Sequence, residues 1–97
     1  VFASSDNIAL GLLKLLYAHD LRVPRDYSVV SYDNSAADSL FEPALTSIEQ
    51  NSGELADAAI DLLFARLAEA DAGIEPKGSV STILRPKIVV KNSVRWL

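Results

Sequence analysis

Apolar residues at positions 8, 9, 10, 12, 13, 15, 16 and 17 cover most of the circumference of a helix, so Ile8 to Tyr17 predicts a helix covered on more than one side. Lys14, His19 and Asp20 are its polar marks. Ahead of it, Ser4, Ser5, Asp6 and Asn7 offer several N-cap oxygens, and Val1 to Ala3 reads as the end of a buried strand. Pro24 blocks continuation of the helix, and Tyr27 to Tyr32 is a β-branched and aromatic run of strand type, closed by the turn formers Asp33, Asn34 and Ser35. Ala36 to Phe41 fits a helical turn before Pro43, and Thr46 to Glu49 a short strand. A second helix follows. Asn51 offers a cap and Glu54 stands three residues on, as in a capping box, while Leu55, Ala58, Ala59, Leu62, Leu63 and Leu67 form an apolar face. Asp57, Asp61, Glu69 and Asp71 make its outer side acidic, and Gly73 and Pro76 stop it. Val80 to Leu84 and Ile88 to Val90, divided by Pro86, read as two further strands.

This order of elements implies an α/β fold, a mostly parallel sheet flanked by helices and joined by right-handed crossovers. Ligands of such sheets gather at the carboxyl ends of the strands. Ser4, Ser5 and Asp6 follow the first strand and Asp33 and Asn34 the second, so parallel neighbours would bring these polar groups to one edge. A carboxylate at the Asp33 position can accept two hydrogen bonds from a small polar ligand, or it can serve turn chemistry with Asn34 and Ser35. Ser5 has the same two readings, helix cap or ligand-facing hydroxyl. Gly11, alone inside a helix, reads as a site of close helix packing.

Composition narrows the function. The chain has 97 residues, is 49% hydrophobic and carries a net charge of −4, too acidic to grip a phosphate backbone through clustered cations. With no Cys and one His, neither a disulfide framework nor a metal centre is expected, and no cofactor motif occurs. No nucleophile elbow is present, and His19 stands at the far end of its helix from Ser4 and Ser5. Carboxylate pairs such as Asp33 with Asp38, or Asp57 with Asp61, come without any sign of burial that would tune a pKa. An enzyme is therefore not expected. No apolar run reaches membrane-spanning length, and the chain opens on a strand-like run without Met or leader, which suggests a piece of a longer protein. A chain this small has a thin stability margin, and exposed sheet edges would favour pairing or swapping between copies.

Three strings carry a resemblance: Ala3-Ser4-Ser5-Asp6-Asn7-Ile8-Ala9-Leu10-Gly11, Leu21-Arg22-Val23-Pro24-Arg25-Asp26-Tyr27-Ser28-Val29-Val30-Ser31-Tyr32-Asp33-Asn34, and Pro43-Ala44-Leu45-Thr46-Ser47-Ile48-Glu49-Gln50. In order and spacing they resemble the carboxyl-terminal part of the effector-binding domain of LacI/GalR-type bacterial transcription regulators, and Ile88 to Ser93 looks like that family's closing strand. The resemblance implies part of a periplasmic-binding-protein-like domain of two lobes, with residues 1–49 and 87–97 in one lobe and 50–86 in the other. It further implies that Asp33, Ser5 and Gln50 contact a small effector, a sugar or nucleobase-like metabolite, and that the chain forms a homodimer with Leu10 and Phe41 in the interface. DNA would be bound only by an N-terminal helix-turn-helix outside this chain, in the cytoplasm and without membrane contact. The family usually has Gly where Asp20 and Ser31 stand, an acidic residue at Asn34 and Arg at Lys91, departures that bear on ligand identity more than on fold. A periplasmic sugar-binding protein is the alternative.

Overall fold

A computed structural model of the chain describes residues 1–75 and 78–96. Its elements are α1 (Asp6–Ala18), β1 (Val30–Tyr32), a single 3-10 turn (Ala36–Ser39), β2 (Thr46–Glu49), α2 (Ser52–Asp71) and β3 (Lys87–Val89). They fall into two compact units, residues 1–50 with 86–97, and residues 51–85.

The first unit holds a sheet of order β1-β2-β3. β1 and β2 pair in parallel with Ser31 opposite Ser47, as the α/β reading requires, whereas β3 runs antiparallel to β2 with Ile48 opposite Ile88. Among the described residues the sheet is thus mixed, parallel at β1–β2 and at the bridge to the chain start and antiparallel at β2–β3. The chain start reaches it through one parallel bridge, Phe2 to Val30, but Val1 and Phe2 are exposed and only Ala3 is buried, so the expected buried strand is a single bridge. β1 is also shorter than the run Tyr27 to Tyr32, because the Val29 N–H donates to the Ser93 carbonyl instead of to a ladder partner.

Ser5 starts α1: its backbone is extended and its Oγ accepts the Ile8 N–H at 3.3 Å, which leaves Asp6 in the first turn, where a negative charge complements the helix dipole. At the other end the Asp20 N–H donates to the Tyr17 carbonyl and the Leu21 N–H to the Leu16 carbonyl. This is the Schellman pattern, with Asp20 at φ 59 in the left-handed position that glycine normally takes. The core consists of Ala3, Ala9, Val29 and Leu45, with Leu10, Leu12, Leu13 and Val23 packed against it. Fully burying Val29 and Leu45 contributes roughly 1.5–3 kcal/mol each. Only Asp6 and Ala9 of α1 are buried, while Ile8, Leu15 and Tyr17 are exposed, so within this chain α1 is covered on one side only.

In the second unit, α2 ends at the expected place: Gly73, at φ 73, donates to the Ala70 carbonyl, and the Ile74 N–H reaches the Glu69 carbonyl. Pro76, the second expected stop, lies outside the described residues. Its start differs from expectation, since Asn51 has φ 54 and makes no side-chain cap bond, which removes the proposed capping box. None of its residues is buried, and Leu55, Leu63 and Leu67 are about half exposed, so the apolar face has no core to cover within this unit. Val80 to Leu84 is irregular, and a strand there has no ladder partner among the described residues.

Candidate functional site

All the candidate ligand-binding residues lie in the first unit. Parallel pairing of β1 and β2 puts both carboxyl ends at one edge, and the residues that follow them meet there: Gln50 Nε2 donates to Asp33 Oδ1 at 2.9 Å. Both side chains are exposed, so the carboxylate keeps acceptor capacity towards solvent or a ligand. The Asp33 N–H prolongs the ladder by donating to the Ile48 carbonyl, after which the chain turns through two left-handed residues, Asp33 at φ 121 and Asn34 at φ 53. Asn34 Oδ1 accepts the Lys91 Nζ at 2.8 Å, which sets a cation beside the turn. A second cation, Lys87, lies 3.6 Å from Glu49 at the end of β2.

Beneath the turn lies a polar cluster that the sequence did not single out. The buried Asp6 carboxylate accepts the Ser31 hydroxyl at 2.6 Å and the Ser35 N–H at 2.6 Å, and the Ser47 hydroxyl lies 3.2 Å from it. Ser47 Oγ in turn accepts the Asn34 N–H at 2.9 Å. Charge this deep is tolerable only with donors aimed at it, and each contact here supplies one. Ser5, by contrast, spends its hydroxyl on the helix cap, with no bond joining it to Asp33 or Gln50. The available signal was a serine inside each of two short strands, Ser31 in β1 and Ser47 in β2.

Other titratable candidates stay dispersed. His19 caps its own helix, with Nδ1 3.0 Å from the Leu15 carbonyl. Asp57 and Asp61 are exposed on α2, and the Asp38 side chain lies outside the described residues. Among the described residues no group of three or more His, Cys, Asp and Glu could hold a metal ion, and no helix is long and apolar enough to cross a membrane.

The two candidate interface residues share one groove. A shallow cavity of about 470 Å³ is lined by Leu10, Gly11, Leu13, Lys14, Tyr17, Phe41 and Glu42, between the outer side of α1 and the segment after the 3-10 turn. Phe41 is 45% exposed there, so part of its ring faces the groove and solvent. A Cβ at Gly11 would meet nothing within 4 Å, so close packing inside this chain does not account for that glycine.

Residues 1–94 match the family model of the periplasmic binding protein-like domain. Among curated relatives, the HTH-type transcriptional repressor PurR of Mannheimia succiniciproducens is 37% identical over 95 residues, covering 98% of this chain and 27% of its own length. A LacI family transcriptional regulator from Enterococcus faecium, solved with bound ribose, superposes with a TM-score of 0.82 at 30% identity, over 97% of this chain and 33% of that one. The lac repressor dimer bound to operator and the anti-inducer ONPF gives 0.77 at 30% identity, over 96% and 30%. The chain thus spans a third or less of these relatives. Sequence and architecture agree: the chain belongs to the periplasmic binding protein-like domain family, in the form found in LacI-type transcription regulators.

Proposed function

We propose that this chain is the ligand-sensing part of a LacI/GalR-type transcription regulator, binding a small polar effector at the carboxyl ends of β1 and β2. The observation that carries the reading is the Gln50 to Asp33 hydrogen bond, which fixes an exposed carboxylate where two parallel strands end. Asp33 accepts hydroxyl or ring N–H groups of the effector, Gln50 orients that carboxylate and offers its own amide oxygen, and Ser5 lies at the positive end of α1. Residues 1–49 and 87–97 belong to one lobe of the regulator's effector-binding domain and 50–86 to the other, with Gln50 at the passage from one to the other. The ribose-bound Enterococcus faecium relative supports a sugar.

The groove under Leu10 and Phe41 forms the centre of a homodimer, a reading supported by the operator-bound lac repressor dimer among the relatives. DNA is bound in the cytoplasm by an N-terminal domain outside this sequence, consistent with the net charge of −4. No chemistry is performed on the effector. Isothermal titration of the whole regulator against a panel of sugars and purines tests the site. Asp33→Ala should abolish the heat of the binding member, and unchanged affinity would overturn the assignment.

A further inference from the structure

The turn that carries Asp33 has an expensive backbone. Asp33 at φ 121 and Asn34 at φ 53 are consecutive non-glycine residues in left-handed territory, which persists only where the surroundings over-determine it. Three successive N–H groups of this turn are fixed by two other elements, β2 twice and α1 once. The Asp33 N–H goes to the Ile48 carbonyl of β2, the Asn34 N–H to Ser47 Oγ, and the Ser35 N–H to Asp6 Oδ2. The last two acceptors are themselves joined, since the Asp6 carboxylate also takes the Ser31 hydroxyl and faces the Ser47 hydroxyl at 3.2 Å. Asp6, Ser31 and Ser47 are 3%, 0% and 0% exposed, so the acceptor side of the two side-chain bonds to the turn is shielded from water.

We infer that Asp6, Ser31 and Ser47 form a buried clamp of positioning residues that holds the Asp33–Asn34 turn in its effector-binding conformation. Resting on the effector-site reading above, this adds a second tier to it. Nothing in the clamp touches the effector; it sets where Asp33 stands. An effector contact depends on placement to a fraction of an ångström, so a released turn binds less well even in a folded protein.

Ser47→Thr and Ser47→Val separate positioning from packing in the whole regulator, because the two side chains match in volume and differ only in the hydroxyl. Two readings are taken: amide hydrogen exchange at Asn34, and affinity for ribose with the wider sugar and purine panel. The expected result is that Ser47→Val raises Asn34 exchange about tenfold or more over Ser47→Thr and weakens effector binding by a similar factor, with Ser47→Thr close to the unsubstituted protein. Equal Asn34 exchange in the two variants overturns the clamp. If Asp33→Ala abolishes binding while both Ser47 variants bind alike, the positioning role falls and the effector site stands. If Asp33→Ala leaves binding intact, the effector-site reading falls and the positioning role with it.

Discussion

Gln50 and Asp33, 17 positions apart in sequence, are joined by a hydrogen bond of 2.9 Å between the ends of two parallel strands. The bond uses the amide as donor and the carboxylate as acceptor, so its polarity is fixed. Gln50→Glu would set two carboxylates face to face and drive Asp33 away. Calorimetric titration of the whole regulator should show effector affinity reduced about tenfold or more, and an unchanged affinity would mean that Asp33 is placed without help from Gln50.

The groove shared by Leu10 and Phe41 predicts where dimers fail. Leu10→Glu would bury an unpaired charge at the centre of the proposed contact, and Phe41→Ala would remove one of the two rings that line the groove. Sedimentation equilibrium should show the dimer dissociation constant raised at least about tenfold for each, and because Leu10 also packs against the core, Leu10→Glu should lower the monomer's unfolding midpoint as well.

Gly11 should separate the monomer from the dimer. Its Cβ position is open, so Gly11→Ala removes helix-destabilising freedom and raises monomer stability by about 0.5–1 kcal/mol in urea denaturation. The same methyl stands in the groove and should weaken dimerisation in the sedimentation assay. Opposite signs from one substitution would identify the glycine as an interface residue.

Ser93 is fully buried, donating to the Val29 carbonyl at 2.5 Å and accepting the Thr46 N–H at 2.8 Å. Ser93→Ala strands a buried N–H, at a cost of about 1–3 kcal/mol. The urea midpoint should fall accordingly with the slope unchanged.

The Arg25 guanidinium, followed by the Arg22 backbone N–H, holds the Asp26 carboxyl below its ordinary value of 3.8. Because the ionised form is favoured by folding, the contribution is complete above that value and is lost as pH falls through the lower folded pKa. An NMR titration should place the Asp26 midpoint below 3.8, and Arg25→Ala should move it upward.

The sequence made legible an α/β order with parallel pairs and, through the parallel approach of Val1–Ala3 to Tyr27–Tyr32 that survives as the Phe2–Val30 bridge, the convergence of Asp6, Asp33 and Asn34 on one edge, whereas the β1–β2 pairing itself was not singled out. It also placed α2 through its period and its Gly73 stop. The antiparallel entry of β3 was not legible, since strand direction depends on where residues 51–85 deliver the chain. Nor was the exposure of α2: Leu55, Leu63 and Leu67 carry the pattern of a buried face whether or not a partner surface is present. Asp6 was read as one of several caps, whereas Ser5 takes the cap and frees Asp6 to bond Ser31 and Ser35, a choice settled by contacts 25 and 29 residues away.

The placement of Ser93 has a consequence for how the protein is made. Residues 1–50 leave the ribosome well before residue 93, yet the Thr46 N–H donates to Ser93 Oγ, the Val29 carbonyl accepts the Ser93 hydroxyl, and the Asn92 N–H closes on the Ala44 carbonyl. Until the intervening segment has been synthesised, β2 keeps one open edge and the sheet stays unfinished. The amino-terminal end of β2 is therefore among the last parts of this unit to mature during translation, whereas the backbone bonds of the Asp33–Asn34 turn have their partners within residues 6–50 and can close before residue 93 is made.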